Sequence, residues 1–318
     1  MKKNYSLMLF FMLMLMGTMI TFSSKNWIMM WIGLEINMMS FLPIIQSFKS
    51  TKSAEASMIY FLIQSLGSMI LLFSIISSEF MQPLTKMAIL IKMGAAPMHF
   101  WMIEIMEKMT WINGLLLMTW QKIAPMIMMT YMDKLMILAI ISVMVGAIGG
   151  LNQTSLRKMM AFSSVNHIGW MLAAMEIKSF SFLKYLIIYM MLMIMLVLTL
   201  NQKKMLFLNQ LPENNSKLAK INLSIMMLSL GGLPPFLGFS AKWIIIQELI
   251  SANMNFMVTS MIMFSMMTLF FYIRVVSTSM MLESTSSKIM IIHNSKNWDM
   301  LMIMSNMFLL PLMSVALI

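Results

Sequence analysis

The sequence predicts an all-α polytopic membrane protein: a bundle of about eleven transmembrane helices with inverted repeats and two broken helices. Three observations predict it. Of the 318 residues, 60% are hydrophobic and only 10% charged, with a mean hydropathy of +0.85, a profile outside the range of soluble domains of this length. Eleven apolar stretches follow one another along the chain. Two of them carry glycine and proline at mid-depth in corresponding places, the sequence mark of an inverted-repeat transporter.

The spans run approximately over residues 7–22, 27–45, 57–76, 84–105, 111–131, 135–150, 159–175, 185–200, 221–250, 256–276 and 300–317. Several fall short of the roughly 20 residues of an ideal span. The first follows Met1-Lys2-Lys3 and mimics a signal peptide. It is longer than most such apolar regions and lacks an Ala-x-Ala cleavage site, so it reads as a retained helix. The fourth is interrupted at Gly94-Ala95-Ala96-Pro97 and the ninth at Gly231-Gly232-Leu233-Pro234-Pro235. Proline removes a helix hydrogen bond and crowds the preceding turn, and in lipid the freed carbonyls need water or protein partners. The two interrupted spans are five apart, an odd offset, so equivalent helices run in opposite directions. This predicts one domain with repeats over about 7–131 and 135–276, followed by a C-terminal helix over 300–317. The polar stretches 202–220 and 283–299 are too short for a soluble domain. Asn152, Gln153, Arg157 and Lys158 are expected to cap the seventh helix.

Topology follows from the lysines and arginines. With the N-terminus on the basic side, that side holds fourteen of them and the other side five: Lys25, Lys86, Lys134, Lys178 and Lys184. Three more lie inside spans. The asymmetry predicts an N-terminus inside and a C-terminus outside. It also argues against nucleic acid as the partner for the net charge of +11, because basic residues in short loops set topology.

Four charges stand near the centres of spans: Glu35, Lys92, Lys122 and Lys242. A centred charge costs roughly 2.5–3.5 kcal/mol by insertion scales, and such residues mark ion or proton paths. Each lysine lies close to a helix breaker. Lys92 precedes Pro97, Lys122 precedes Pro125, and Lys242 follows Pro234 and Pro235. An amine poised between burial, which disfavours its charge, and a carboxylate such as Glu35, which favours it, can load and release a proton. The competing account is static pairing that holds helices together. Three lysines and one central glutamate cannot all pair one to one, and a buried pair often costs more than an apolar substitute.

His167 is a further relay candidate because its reference pKa lies near neutrality; simple hydrogen bonding is the alternative. His99, beyond the break of the fourth span, is a weaker candidate. No spacing supports haem ligation by these two histidines, and His293 falls in a loop. Glu104, Glu107 and Lys108 form an interfacial cluster. The chain has no cysteine, which excludes disulfides, thiolate nucleophiles and cysteine-held iron–sulfur clusters. The 51 methionines stand where Leu or Ile would serve, and without supporting His or Cys they do not suggest a copper site. No phosphate loop, metal cluster or nucleophile motif is present, so neither a cofactor nor a metal is expected to bind.

Several motifs together resemble one family: Gly33-Leu34-Glu35-Ile36-Asn37, Lys92 through Trp101, Thr119 through Pro125, Gly149 through Lys158, and Gly231 through Pro235 with Lys242-Trp243. In this order they are similar to the mitochondrial NADH dehydrogenase subunit 2 family, the antiporter-like membrane subunits of respiratory complex I. The methionine content looks like that of an invertebrate mitochondrial gene. The resemblance implies a proton relay through Glu35, Lys92, Lys122 and Lys242, coupled to NADH oxidation and ubiquinone reduction elsewhere. It implies that NADH, FMN, iron–sulfur clusters and ubiquinone are used by other subunits. It further implies NADH dehydrogenase subunits 4, 4L and 5, accessory subunits and phospholipids including cardiolipin as partners. The implied location is the mitochondrial inner membrane, with the N-terminus in the matrix and the C-terminus in the intermembrane space. Many relatives carry Lys where this chain has Ile59; water or a neighbour such as Glu55 would take its place. A stand-alone cation/proton antiporter and a non-conducting spacer of the membrane arm remain as alternatives.

Overall fold

A computed structural model describes residues 2–47, 50–77, 82–211 and 217–281. Among these residues there is no β-strand. The eleventh expected span, 300–317, and His293 lie outside the described residues. The chain divides into two compact units, Met1–Leu135 and Met136–Ile318.

The first unit contains α1 (Lys2–Ser23), α2 (Trp27–Gln46), α3 (Thr51–Ile76), α4 (Gln82–Met93), α5 (Phe100–Lys108), α6 (Trp111–Met118) and α7 (Trp120–Met129). The second contains α8 (Met136–Leu151), α9 (Leu156–Glu176), α10 (Ser181–Gln202), α11 (Lys217–Gly231), α12 (Leu237–Ser251) and α13 (Asn255–Met281), with a 3-10 turn at Leu208–Gln210. Ten expected spans are thus present as helices or interrupted helices. Five helices, α1, α2, α3, α10 and α13, are long and apolar enough to cross a bilayer unaided. The others are shortened by interruptions or carry buried polar residues.

Hydroxyls show how the sequence meets an apolar solvent. Thr18, Ser40, Ser142 and Ser163 each donate to the carbonyl three residues earlier, at 2.8–2.9 Å. A hydroxyl in hydrocarbon is costly without a partner, and its own helix supplies the nearest acceptor. At the start of α3, Ser50 and Ser53 exchange hydrogen bonds as a capping box.

Glycine lets one helix pair in each unit pack backbone against backbone. A Cβ on Gly17 of α1 would lie 2.8 Å from Gly33 O and 2.9 Å from Asn37 N of α2. A Cβ on Gly146 of α8 would lie 2.8 Å from Phe162 O and 2.6 Å from Asn166 N of α9. Small residues at membrane helix contacts let backbones approach closely. In both units a glycine faces the backbone of residues i and i+4 of the next helix, and residue i+4 is asparagine.

The two expected breaks are present and share one local design. At the end of α4, Gly94 has φ 69°; its N–H donates to Ile91 O and that of Ala95 to Leu90 O. At the end of α11, Gly232 has φ 81°; its N–H donates to Ser229 O and that of Leu233 to Leu228 O. Each is a Schellman ending, which favours glycine because an L side chain strains at positive φ. Proline follows in each case, at Pro97 and at Pro234-Pro235. A further interruption separates α6 from α7 at Thr119. Pro125 lacks the N–H that would bond Gln121 O, and its ring crowds that turn.

Lys220 and Arg274 belong to the fourteen basic-side residues, and both lie within helices. Lys220 is 5% exposed and belongs to α11, not to a loop. Arg274 lies within α13 and donates to Leu151 O and Gln153 O, closing the end of α8. The N-cap of α9 is Ser155 without a side-chain cap; its first turn is instead held by Leu156 N–H donating to Leu206 O.

The α11–α12 junction depends on Gly238, where a Cβ would lie only 1.7 Å from Ser229 O. Gly238→Ala is expected to destabilise the protein by at least about 1–3 kcal/mol, the cost of overpacking. At Gly231 the nearest atom to an added Cβ is at 3.4 Å, and Gly231→Ala should cost less. Thermal unfolding of the two purified variants tests the difference; equal melting temperatures would contradict the close approach.

Candidate functional site

The site in the first unit is built where interrupted helices face α2 and α3. Lys92 lies in the last turn of α4, and its Nζ donates to Glu35 Oε1 of α2 at 3.0 Å. The lysine side chain is 2% exposed and the glutamate 21%. Carbonyls released by the break are satisfied by protein. Gln64 Nε2 donates to Lys92 O at 3.3 Å, and Trp101 Nε1 donates to Ile91 O at 3.0 Å.

Lys122 occupies the first turn of α7, directly after the interruption at Thr119, and is 2% exposed. Beside it, Gln121 ties three helices together. Its Nε2 donates to Asn37 Oδ1 at 3.1 Å, and its Oε1 accepts from Tyr60 OH at 3.3 Å.

Lys92 and Lys122 line one cavity of about 20 Å³, whose other polar lining is Asn37, Tyr60, Gln64 and Gln121. That volume is of the size that holds one water molecule. Two amines from two different interrupted helices therefore share a small polar chamber, with one carboxylate bound to the first of them. His99 does not line it; its Nδ1 is 3.1 Å from Pro97 O and its ring lies on Phe100.

In the second unit, Lys242 of α12 donates from Nζ to Gly231 O at 2.7 Å, the carbonyl that ends α11. The same Nζ stands 5.8 Å from the Trp170 ring centroid on α9. Gly232 forms its seat: a Cβ there would meet Lys242 Nζ at 3.0 Å. His167, also on α9, makes a 2.7 Å hydrogen bond between Nδ1 and Tyr185 OH of α10 and packs on Tyr189. Every residue of α9 from Met159 to Met175 is buried, so its serines, Asn166 and His167 lie in the interior of the unit.

The structure thus brings Glu35, Lys92 and Lys122 together and sets Lys242 at its break. Asn37, Tyr60, Gln64 and Gln121 were not singled out by sequence. Asn37 and Gln121 stand inside the quoted motifs, and the signal that finds all four is a polar side chain within an apolar span. Glu55 lies 3.4 Å from Lys108 at the end of α5, which also hydrogen-bonds Glu104 at 3.1 Å. That bond to Glu104, foremost, raises the Lys108 pKa above the ordinary lysine value. Among the described residues no group of three His, Cys, Asp or Glu is arranged to hold a metal.

Helices broken at mid-depth, with buried lysines at the breaks, define an antiporter-like membrane subunit. The pattern of the family described as "NADH:quinone oxidoreductase/Mrp antiporter, TM" matches residues 24–85 and 76–268. NADH-ubiquinone oxidoreductase chain 2 of Anopheles gambiae is 41% identical, covering 93% of this chain and 92% of that one. The Locusta migratoria chain 2 is 39% identical over 94% and 90%, and that of Lemur catta 38% over 89% and 88%. The chain belongs to the NADH-ubiquinone oxidoreductase chain 2 family within that antiporter-like group. Two solved structures share the fold at lower identity. A chain of respiratory complex I from Thermus thermophilus with bound aureothin has a TM-score of 0.81 at 20% identity, over 96% of this chain and 77% of that one. A chain of the Mrp complex from a Dietzia species has a TM-score of 0.74 at 16% identity, over 84% and 59%.

The Glu35–Lys92 pair generates a stability test. Glu35→Gln leaves the buried ammonium of Lys92 without its counter-charge, an effect of about 3–5 kcal/mol. The double variant Glu35→Gln/Lys92→Met removes both charges and should recover much of that loss. Thermal unfolding of the wild type, Glu35→Gln, Lys92→Met and the double variant closes the cycle. A double variant no more stable than Glu35→Gln alone would show that the pair is not coupled.

Proposed function

We propose that this chain translocates protons as a membrane-arm subunit of respiratory complex I, the proton-translocating NADH:ubiquinone reductase. Glu35, Lys92, Lys122 and Lys242 load and release the proton, and His167 joins them in the second unit. The observation that carries the reading is the shared cavity of Lys92 and Lys122. Glu35 balances one ammonium there. A second ammonium leaves the chamber with a surplus positive charge, at a separation and dielectric where like charges are strongly felt. Loading Lys122 therefore competes with keeping the Glu35–Lys92 pair as it is. Opening of that pair by an arriving proton, and its closing after departure, gives a two-state element that the rest of the complex can drive.

The electron carriers belong to other subunits; this chain binds neither NADH, FMN, an iron–sulfur cluster nor ubiquinone. Its neighbours are NADH dehydrogenase subunits 4, 4L and 5, accessory subunits and phospholipids such as cardiolipin. It lies in the mitochondrial inner membrane, N-terminus in the matrix and C-terminus in the intermembrane space, as the fourteen-to-five distribution of basic residues favours. The two units are inverted repeats: each pairs two helices over a glycine, and each has a Schellman-ended break five spans from the other's.

Lys122→Met is the direct test. The amine is replaced by an apolar side chain of similar length, so assembly should persist. The proton-to-electron ratio of the complex in sealed vesicles should fall while NADH oxidation by uncoupled electron acceptors continues. An unchanged ratio in the assembled variant refutes the relay.

A further inference from the structure

The half-helix that carries Lys242 ends in a carboxylate that the lysine relay does not use. Lys242 and Glu248 are the charged residues of α12. The amine is buried near the break, and the carboxylate lies in the last turn, partly exposed, about 9 Å further along the helix axis. Glu248 Oε2 accepts the hydroxyl of Ser181, the first residue of α10, at 2.5 Å. Ser181 is 5% exposed, and its oxygen is 2.6 Å from that of Ser179 in the turn between α9 and α10. Ser179 in turn donates to Ala174 O at 3.1 Å, one of the carbonyls that the end of α9 leaves without a helical partner.

This row has a carboxylate at one end and a fixed acceptor at the other, and it is complete in either protonation state of Glu248. With the carboxylate ionised, Ser181 donates to it, and Ser179 donates to Ser181 or to Ala174 O. With the carboxyl protonated, its O–H donates to Ser181, Ser181 to Ser179 and Ser179 to Ala174 O. A hydroxyl is both donor and acceptor, so each serine can turn over without leaving a donor bare. A carboxylate that only closes a helix start accepts from its backbone N–H groups; Glu248 meets α10 through a hydroxyl instead. Lys178 and Lys184 flank Ser181 in sequence, yet among the described residues no cation forms an ion pair with Glu248.

We propose that Glu248 is the outward proton-exchanging carboxylate of the second unit, held in place by Ser181 and Ser179. This rests on the proton-translocating reading above and names the group at its exit. The bond to Ser181 sets the end of α12 beside the turn between α9 and α10, which in the N-terminus-inside topology is the outward end. Glu248 takes a proton from hydronium arriving from the Lys242 side, becoming a carboxylic acid and leaving water. It then gives a proton to water at the outer surface, which leaves as hydronium, and returns to the carboxylate. One proton enters, one leaves, and only O–H bonds are made and broken. The two serines reverse their hydroxyls at each step, so α12 stays joined to α9 and α10 while the charge at its tip changes.

Glu248→Gln tests this in the assembled complex reconstituted in liposomes. Glutamine still accepts from Ser181 and so keeps a purely structural contact, but it cannot carry a proton. The proton-to-electron ratio should fall as far as it does in Lys122→Met, with redox turnover by uncoupled acceptors retained. Glu248→Asp, which keeps a carboxylate, should pump more than Glu248→Gln. If the glutamine variant fails to assemble, Ser181→Ala removes the switching hydroxyl and should also lower the ratio. Full pumping in an assembled Glu248→Gln or, failing that, Ser181→Ala complex, with pumping lost in Lys122→Met, overturns the exit carboxylate and leaves the function standing. Full pumping in Lys122→Met as well overturns the function itself.

Discussion

A carbonyl released inside a bilayer has no water to turn to, and each one left bare costs several kcal/mol. The interrupted helices of this chain release carbonyls at Lys92 and Gly231, and the protein answers each with a specific donor. Gln64 reaches Lys92 and Lys242 reaches Gly231, while Trp101 adds a second donor to Ile91 O, which already accepts from Gly94 N–H. The breaks and the polar residues near mid-depth are therefore one feature. A helix that ends in hydrocarbon must be closed by side chains able to donate, and an ammonium is a strong donor whose proton can also leave.

The two broken helices use their lysines from opposite sides of the gap. Lys92 precedes the break, in the last turn of α4, and Lys242 follows it, on α12. Yet both amines meet the C-terminal end of the first half-helix, where the macrodipole favours a cation. Lys92 does so by position and Lys242 by its bond to the last carbonyl of α11. Lys122 is placed differently, in the first turn of α7, where the helix end does not favour positive charge. Of the three amines, Lys122 is the one whose charge the local backbone supports least, and it shares its chamber with the one most firmly paired.

Much of this was legible in the chain. Gly94 and Gly232 with their following prolines marked the breaks, and Glu35, Lys92, Lys122 and Lys242 stood out because charge in apolar sequence is expensive. What remained hidden depended on facing and register. Pro125 marked the right helix, but the discontinuity falls at Thr119, because the lost N–H and the ring act on the turn before proline. Asn37, Tyr60, Gln64 and Gln121 are ordinary polar residues in sequence and become a lining only once α2, α3 and α7 converge. Helix α9 is the clearest case. Its serines, asparagine and histidine lower its hydropathy, so composition alone ranks it below α10 as a span, although it is the most completely buried helix of its unit.

The burial of α9 also bears on why the two halves differ in chemistry. Gly17 faces Gly33 and Asn37 as Gly146 faces Phe162 and Asn166, which makes Asn37 and Asn166 equivalent in the two pairs. On that register Glu35 corresponds to Ser164 and Met38 to His167. The first unit thus keeps a carboxylate where the second has a hydroxyl, and the second has an imidazole where the first has a thioether. A carboxylate can hold a lysine as an ion pair, as Glu35 holds Lys92. A serine cannot, and Lys242 is held by a backbone carbonyl instead, which leaves its charge uncompensated by any formal anion in that contact. One unit holds its lysine by a carboxylate and the other by a backbone carbonyl, and the difference goes with different residues at matching positions of two similar glycine-packed helix pairs.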